Sequence, residues 1–309
     1  MHGIVYRSTG SWYLVKSTED IFYSCRIKGK FRIQGIKSTN PIAVGDRVTF
    51  TLFDEGGETK GTINHIEPRD NYIVRRSVNL SKQTHIIAAN IDQAFLLITL
   101  NNPPTFHAFI DRFLVTASAY QIPVVLLFNK SDTYTKEELR EVEEMIDIYE
   151  SVDYPCHLIS CKNEKDVTQI AKLMQGKSSM FSGHSGVGKS TLLNAISPSL
   201  QLRTSEISEQ HKQGQHTTTY AEMFDLDNNA RIIDTPGIKG FGVVDIQAEE
   251  LGNYFREFYS AKSNCKFHNC LHIDEPNCAV KEGVSNGTIA PSRYESYVQL
   301  LDEDNTYRK

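Results

Sequence analysis

Gly183-His184-Ser185-Gly186-Val187-Gly188-Lys189-Ser190-Thr191 is the stretch on which the fold turns. It fits G-x-x-x-x-G-K-[ST], follows an apolar strand pattern at Ser179–Phe181 and leads into a helical pattern carrying Leu192, Leu193 and Ile196. A strand, a glycine-rich turn and a helix in that order form a phosphate cradle. The glycines let backbone N–H groups curl toward an anion at a helix N-terminus. Lys189 then reaches the β- and γ-phosphates as a catalytic charge, and Ser190 is a candidate ligand for Mg²⁺. A coincidental Gly-rich turn would not need both flanking elements.

Working outward, Asp234-Thr235-Pro236-Gly237 directly follows the short apolar strand pattern Arg231–Ile233. A carboxylate at a strand end can hold Mg²⁺ through water, and Gly237 can turn its N–H toward a γ-phosphate. Alone, D-x-x-G is a common turn. Downstream of a P-loop it points to a second phosphate-side element.

Upstream, Asn129-Lys130-Ser131-Asp132 closes the strand pattern Val124–Phe128. Guanine offers N1–H and N2–H₂ side by side, and one carboxylate accepts both; adenine has an acceptor there. Asp132 therefore selects GTP over ATP, Asn129 supports the loop and the purine edge, and the alkyl stem of Lys130 covers the base. Ser160-Cys161-Lys162, after the strand pattern His157–Ile159, is placed to offer a backbone N–H to the guanine carbonyl. The nucleotide set is thus Asn129 to Asp132, Ser160 to Lys162, Gly183 to Thr191, Asp234 and Gly237. In most small GTPases the base motifs follow the P-loop, whereas here they precede it. The order is circularly permuted, which is tolerable because the termini of compact domains often lie close together.

The rest of the residue 86–242 region alternates strand and helix patterns, with helices over Phe106–Tyr120, Lys136–Glu150 and Glu164–Met174. That alternation predicts a mostly parallel sheet with helices on both faces. Before it, residues 1–72 read as short strands separated by Gly, Asn, Pro and Asp, over Gly3–Tyr6, Trp12–Lys16, Phe22–Ile27, Phe31–Gln34, Arg47–Leu52 and Gly61–Ile66. The spacing suits a small closed barrel such as an OB-fold. Residues 1–82 hold 13 Lys or Arg against 8 Asp or Glu, although the whole chain carries a net charge of -5. Arg26, Lys28, Lys30 and Arg32 alternate along one apparent hairpin and would share one surface, a candidate RNA contact. Arg69, Arg75 and Arg76 mark a polar linker, bounded at residues 73–85.

Near the end, Cys265-x₄-Cys270-x-His272-x₅-Cys278 supplies three thiolates and an imidazole within 14 residues, the ligand set of a closed tetrahedral zinc site. His268 is a competing ligand by position. Four protein ligands leave no open position, so the zinc takes a folding role. Helical patterns at Glu249–Ser260 and Ser292–Leu301 would pack about it in a helical domain over residues 243–309. Gly240 and Gly242 make Ile238–Val244 a candidate hinge before that domain. The start lacks the apolar core of a secretory signal, and no stretch approaches the ~18–20 apolar residues of a membrane span. A cytoplasmic protein without membrane contact is the expectation, and clustered cysteines read better as metal ligands than as disulfides.

The order N-K-x-D, S-x-K, P-loop and D-T-P-G, between a small β-barrel and a Cys/His cluster, resembles the ribosome small-subunit-dependent GTPase A family. Gly214-Gln215-His216-Thr217-Thr218-Thr219 and the Cys265–Val280 segment carry the resemblance further. It implies a multi-domain chain: an OB-fold, a permuted α/β P-loop GTPase domain and a C-terminal helical zinc domain. The implied partners are the 30S ribosomal subunit and its 16S rRNA, with late subunit assembly as the setting, GTP/GDP with Mg²⁺ and one structural Zn²⁺ as cofactors, and a monomer as the working state. Ile238 stands where Ras-like enzymes carry a water-positioning Gln, and a branched alkyl side chain cannot orient water. His216 resembles the family's replacement candidate, and one of Thr217, Thr218 and Thr219 closes over Mg²⁺ and γ-phosphate; the sequence leaves open which, with Thr218 taken as the candidate. An RNA-binding module whose GTP site only senses nucleotide is the competing reading.

Overall fold

A computed structural model describes residues 1–27, 41–76, 84–200, 221–227, 229–234 and 246–307. The chain divides into two compact units: Met1–Phe95, Cys161–Ser182 and Gly188–Lys239 form one, and Leu96–Ser160, Gly183–Val187 and Gly240–Lys309 the other.

The first unit opens with a closed barrel of β1 (His2–Ser8), β2 (Tyr13–Ser17), β3 (Phe22–Ile27), β4 (Arg47–Glu55) and β5 (Glu58–Ile66). β1 pairs with both β2 and β4, and β3 with both β2 and β5; the β4–β5 hairpin completes the ring. Alternation explains its interior: Val5, Tyr13, Val15, Cys25, Val48, Phe50 and Ile63 all point inward and, with Ile42, are buried. Each fully buried aliphatic or aromatic side chain contributes on the order of 1.5–3 kcal/mol. Arg69 is no linker residue. Its guanidinium forks onto the buried Asp46 carboxylate, Nε and Nη2 both at 2.6 Å, and Nη2 also reaches the Pro41 carbonyl at 2.9 Å. The stretch expected to be a polar linker holds paired strands instead, β6 (Tyr72–Arg76) antiparallel to β7 (Thr84–Ala89). The expected Phe31–Gln34 strand lies outside the described residues.

In the same unit β11 (Ser178–Ser182) runs parallel to β13 (Arg231–Asp234), which pairs antiparallel with β12 (Glu222–Asp225). β12 has only four residues and went unseen in the sequence. It pairs antiparallel with barrel strand β1, Arg7 opposite Glu222. Tyr6 donates to Asp225 at 2.6 Å and Lys16 to the same carboxylate at 2.9 Å. β8 (Gln93–Ile98) begins in this unit, Gln93 donating to Ser179 Oγ at 3.1 Å, and α3 (Glu164–Met174) and α4 (Lys189–Ile196) complete it.

In the second unit β9 (Val124–Phe128) lies parallel to β10 (Cys156–Leu158). α1 (His107–Ala119) and α2 (Lys136–Glu150) belong with them. α2 starts where it does because Thr135 and Glu138 form a reciprocal capping box, and Glu137 and Glu138 complement the positive end of the helix. Val142, Met145 and Tyr149, three and four residues apart, turn its apolar stripe inward.

The expected helix at Glu249–Ser260 is broken into α5 (Ala248–Leu251), a 3₁₀ turn at Gly252–Tyr254 and α6 (Arg256–Ala261); α7 (Ala279–Ser285) and α8 (Pro291–Tyr307) follow. The break falls at Phe255, which leaves helical backbone (φ -97°, ψ 112°) to stack on Phe258 with ring centroids 5.0 Å apart and to meet Tyr297 edge-on. These rings share one core with Leu251, Val280, Ile289 and Val115 of α1. Arg293 of α8 crosses that core fully buried. It donates to Asp111 of α1 at 2.5 Å and forks onto Glu257 of α6 at 2.8 and 3.0 Å. The C-terminal helices are therefore packed onto α1 and share its hydrophobic core.

Candidate functional site

Gly183 shows why a glycine opens the P-loop. Its φ is +138°, and a Cβ there would stand 2.6 Å from the Leu97 carbonyl oxygen. Gly186, at φ 85°, and Gly188, at φ 105°, also hold left-handed backbone, and Gly188 caps α4, so the helix begins at Lys189. The boundary between the compact units falls within this loop, after Val187.

In the second unit, the base loop and the first half of the P-loop are joined. Asn129, buried at the end of β9, donates from Nδ2 to the Val187 carbonyl at 2.7 Å. Lys130 adopts left-handed backbone (φ 72°), and its ammonium donates to the Asn102 carbonyl at 2.5 Å. Ser131 N–H is fixed by the Ile159 carbonyl at 3.1 Å. Buried Ser160 donates to the exposed Asp132 carboxylate at 2.7 Å, which orients the group that would read a purine edge. The His184 ring lies against Phe109 of α1, centroids 4.1 Å apart.

In the first unit, the Cys161 thiol lies 3.7 Å from the Gly188 carbonyl, and Ser190 is buried at the start of α4. Burial pulls the pKa of Lys189 down to about 8, with the Asp234 carboxylate opposing. Asp234 ends β13, as the sequence pattern required. The oxygen donors Ser190 and Asp234 suit a hard divalent cation by chemistry. Gly237, His216 and Thr218 lie outside the described residues.

Sequence reading missed two supports of this half-site. Tyr134 accepts from Leu100 N–H at 2.9 Å and donates to the Asn129 carbonyl at 2.8 Å. Asn101 donates to Glu138 at 2.5 Å. The Asn-Asn-Pro-Pro run at 101–104 is a turn signal, but nothing in it says which elements the turn touches.

These elements decide the kinship. A model of the RsgA GTPase family matches residues 66–244, and a model of the RsgA N-terminal domain matches residues 2–63. The chain belongs to the RsgA GTPase family. Christiangramia forsetii has a relative named small ribosomal subunit biogenesis GTPase RsgA, 66% identical over 310 residues, covering 100% of this chain and 98% of the relative. An RsgA 2 of Bacteroides thetaiotaomicron is 52% identical over 310 residues, with 100% and 99% coverage. Among solved structures, YjeQ from Thermotoga maritima matches with a TM-score of 0.77 at 38% identity, covering 98% of this chain and 97% of that one. YloQ, described as a circularly permuted GTPase, matches with a TM-score of 0.75 at 30% identity, covering 100% and 96%. The permuted motif order read from the sequence agrees with that description of YloQ.

The Cys/His motif assembles as a cluster. The ligand atoms of Cys265, Cys270, His272 and Cys278 all lie within 4.8 Å of one another. His272 Nδ1 stands 3.3 Å from the Cys278 sulfur and 3.7 Å from that of Cys265. Metal–sulfur bonds of about 2.3 Å give a tetrahedron with edges of about 3.8 Å, so the donor set and spacing fit a tetrahedral metal. The loop is braced for it: Glu275 accepts from Leu271 N–H at 2.7 Å and Ile273 N–H at 3.0 Å, while Tyr294 and Tyr297 donate to the His272 and Leu271 carbonyls, each at 2.7 Å. His268, exposed, is not part of the cluster. Arg26, in the barrel, is exposed and 3.5 Å from Glu55, its guanidinium over the Phe53 ring at 4.7 Å. Lys28, Lys30 and Arg32 lie outside the described residues. No described helix is long and apolar enough to cross a membrane.

Proposed function

We propose that the chain hydrolyses GTP to GDP and phosphate, binds the small (30S) ribosomal subunit and assists its late maturation, with hydrolysis stimulated by that particle. The observation that carries the nucleotide reading is the Asn129–Val187 hydrogen bond at 2.7 Å, which couples a guanine-reading loop to a P-loop. The relatives' printed names support the ribosomal part.

In this reading the Asp132 carboxylate, steadied by Ser160, accepts the two guanine donors, the Lys130 stem covers the base, and the 160–162 turn meets the guanine carbonyl. P-loop N–H groups from Gly183 to Thr191 hold the phosphates. Lys189 stabilises charge that grows on the β- and γ-phosphate oxygens during transfer. Ser190 and Asp234 would hold Mg²⁺, which when bound neutralises phosphate charge and fixes its geometry. Gly237 orients toward the γ-phosphate, Thr218 closes over it, and His216 positions the attacking water in place of the side chain that Ile238 cannot supply. Cys265, Cys270, His272 and Cys278 would hold one structural Zn²⁺. Arg26, Lys28, Lys30 and Arg32 meet 16S rRNA phosphates. The chain works as a monomer in the cytoplasm.

The test is GTP turnover by the purified chain with and without 30S subunits. Stimulation by the subunit supports the proposal; negligible turnover in both, with GTP still bound, would favour the nucleotide-sensing RNA-binding module.

A further inference from the structure

Between β8 and α1 runs a short loop that neither phosphate nor base chemistry accounts for. Its ends are closed on themselves: Thr105 N–H donates to the Thr99 carbonyl at 2.9 Å, and Thr99 Oγ1 donates to the Pro103 carbonyl at 2.6 Å. Its middle is tied outward at three points. Leu100 N–H donates to Tyr134 Oη at 2.9 Å, and that hydroxyl donates in turn to the Asn129 carbonyl at 2.8 Å. The Asn101 side chain donates to Glu138 Oε1 at 2.5 Å, while Oε2 of the same carboxylate accepts from Thr135 N–H at 2.7 Å and caps α2. The Asn102 carbonyl accepts the Lys130 ammonium at 2.5 Å, and Asn102 holds left-handed backbone (φ 53°) to aim it. Pro103 lies alongside Gly186 of the P-loop, its Cδ 3.6 Å from where a Cβ on that glycine would stand.

A lysine side chain has four rotatable bonds, and its stem covers a purine only when its far end is held. Here the far end is held by the Asn102 carbonyl, one residue on from the tether between Asn101 and Glu138.

We propose that the Leu100–Pro103 loop is a positioning element for the purine, in which Asn101, anchored on Glu138, sets the Asn102 carbonyl that grips the Lys130 ammonium and so fixes the lysine stem over the base. Asn101 and Tyr134 are positioning residues acting through Lys130. The inference rests on the guanine-site reading above. Because the stem packs on the ring face and reads no edge, its effect is equal for guanine and hypoxanthine nucleotides, and equal for di- and triphosphates.

The experiment titrates the full-length chain with fluorescently labelled GDP and with unlabelled GDP, GTP and ITP in competition. It compares wild type with Asn101→Ala, Tyr134→Phe, Lys130→Ala and Asn101→Ala/Lys130→Ala. Asn101→Ala leaves the α2 capping box intact, and an unchanged thermal transition checks that it folds. The expected result is a loss of about five-fold in affinity, the size of one lost hydrogen bond. That loss is the same for GDP, GTP and ITP, appears mainly as faster dissociation, raises KM without changing kcat, and disappears in the Lys130→Ala background. A full additional loss in that background, or an unchanged affinity in both Asn101→Ala and Tyr134→Phe, overturns the inference while leaving the site intact. Absence of nucleotide binding by the wild-type chain overturns the guanine-site reading and this inference together.

Discussion

Asn129 donates its side-chain amide to the carbonyl of Val187 across 58 positions of sequence, at 2.7 Å and out of contact with water. The loop proposed to distinguish bases and the loop proposed to wrap phosphates are thus joined by a buried hydrogen bond. Asn129→Ala strips the Val187 carbonyl of its partner and frees both loops. A tenfold or greater weakening of GDP and GTP binding is expected, equivalent to about 1.4–3 kcal/mol for an orphaned buried acceptor. Equilibrium titration measures it; affinity within twofold of wild type would show that the bond does not organise the site.

Lys189→Ala is expected to abolish GTP hydrolysis while the chain still folds, because the lost charge acts on phosphate oxygens in the transition state. Turnover near wild type in a purified, folded variant would remove Lys189 from the catalytic machinery. The companion change Asp132→Asn is expected to shift preference toward xanthosine triphosphate, since an amide donates to a ring carbonyl where a carboxylate only accepts.

Arg293→Ala leaves two carboxylates, Asp111 and Glu257, in the core without their cation. Loss of one partner of a buried ion pair costs about 3–5 kcal/mol. Chemical denaturation should report a loss of that size for Arg293→Ala and a smaller one for Arg293→Met combined with Asp111→Leu and Glu257→Met, which removes the charge from all three members of the cluster. Equal losses in the two would mean that packing, not the unpaired charge, sets the cost.

Cys270→Ser removes one of four clustered candidate ligands; if the cluster holds zinc as proposed, zinc content is expected to fall with it. Structural zinc affinity is largely folding free energy, so the thermal transition of the C-terminal helices should drop, as it should on chelation of the wild type. Full zinc occupancy in the variant would take Cys270 out of the ligand set.

Charge reversal at Arg26, Lys28, Lys30 and Arg32 should weaken 30S binding and flatten its salt dependence without altering GTP affinity of the free chain. Subunit binding indifferent to salt and to all four changes would assign the barrel another surface.

Much of this molecule was legible because its signals are local. The capping Thr135 and the apolar stripe that follows gave α2 its true ends, and Val124–Phe128 was read to the residue, since an apolar run bounded by Pro123 and Asn129 leaves no choice of limits. The glycine-rich turn before α4 and the clustering of the Cys/His motif could be read because both are short patterns of fixed spacing. What escaped was long-range. Glu222–Asp225 became a strand because a barrel edge and β13 stood ready to pair with it, a fact absent from four residues of mixed character. The Asp111–Arg293 contact joins positions 182 apart, and no periodicity announces it. Residues 73–85 looked like a linker because Arg75 and Arg76 lead into a mostly polar run, while the pairing of Tyr72–Arg76 with Thr84–Ala89 depends on partners rather than propensity.

The short strand β12 carries a practical lesson for anyone dissecting this chain. A cut after residue 66, where the family's two domain models meet, would look natural, yet it would strip β1 from β12 and take Tyr6 and Lys16 away from Asp225. The severed piece would expose a row of unpaired backbone donors and acceptors, the kind of edge that recruits a neighbouring chain. Self-association of a barrel-less fragment would then be an artefact of surgery, and its kinetics a poor guide to the intact enzyme.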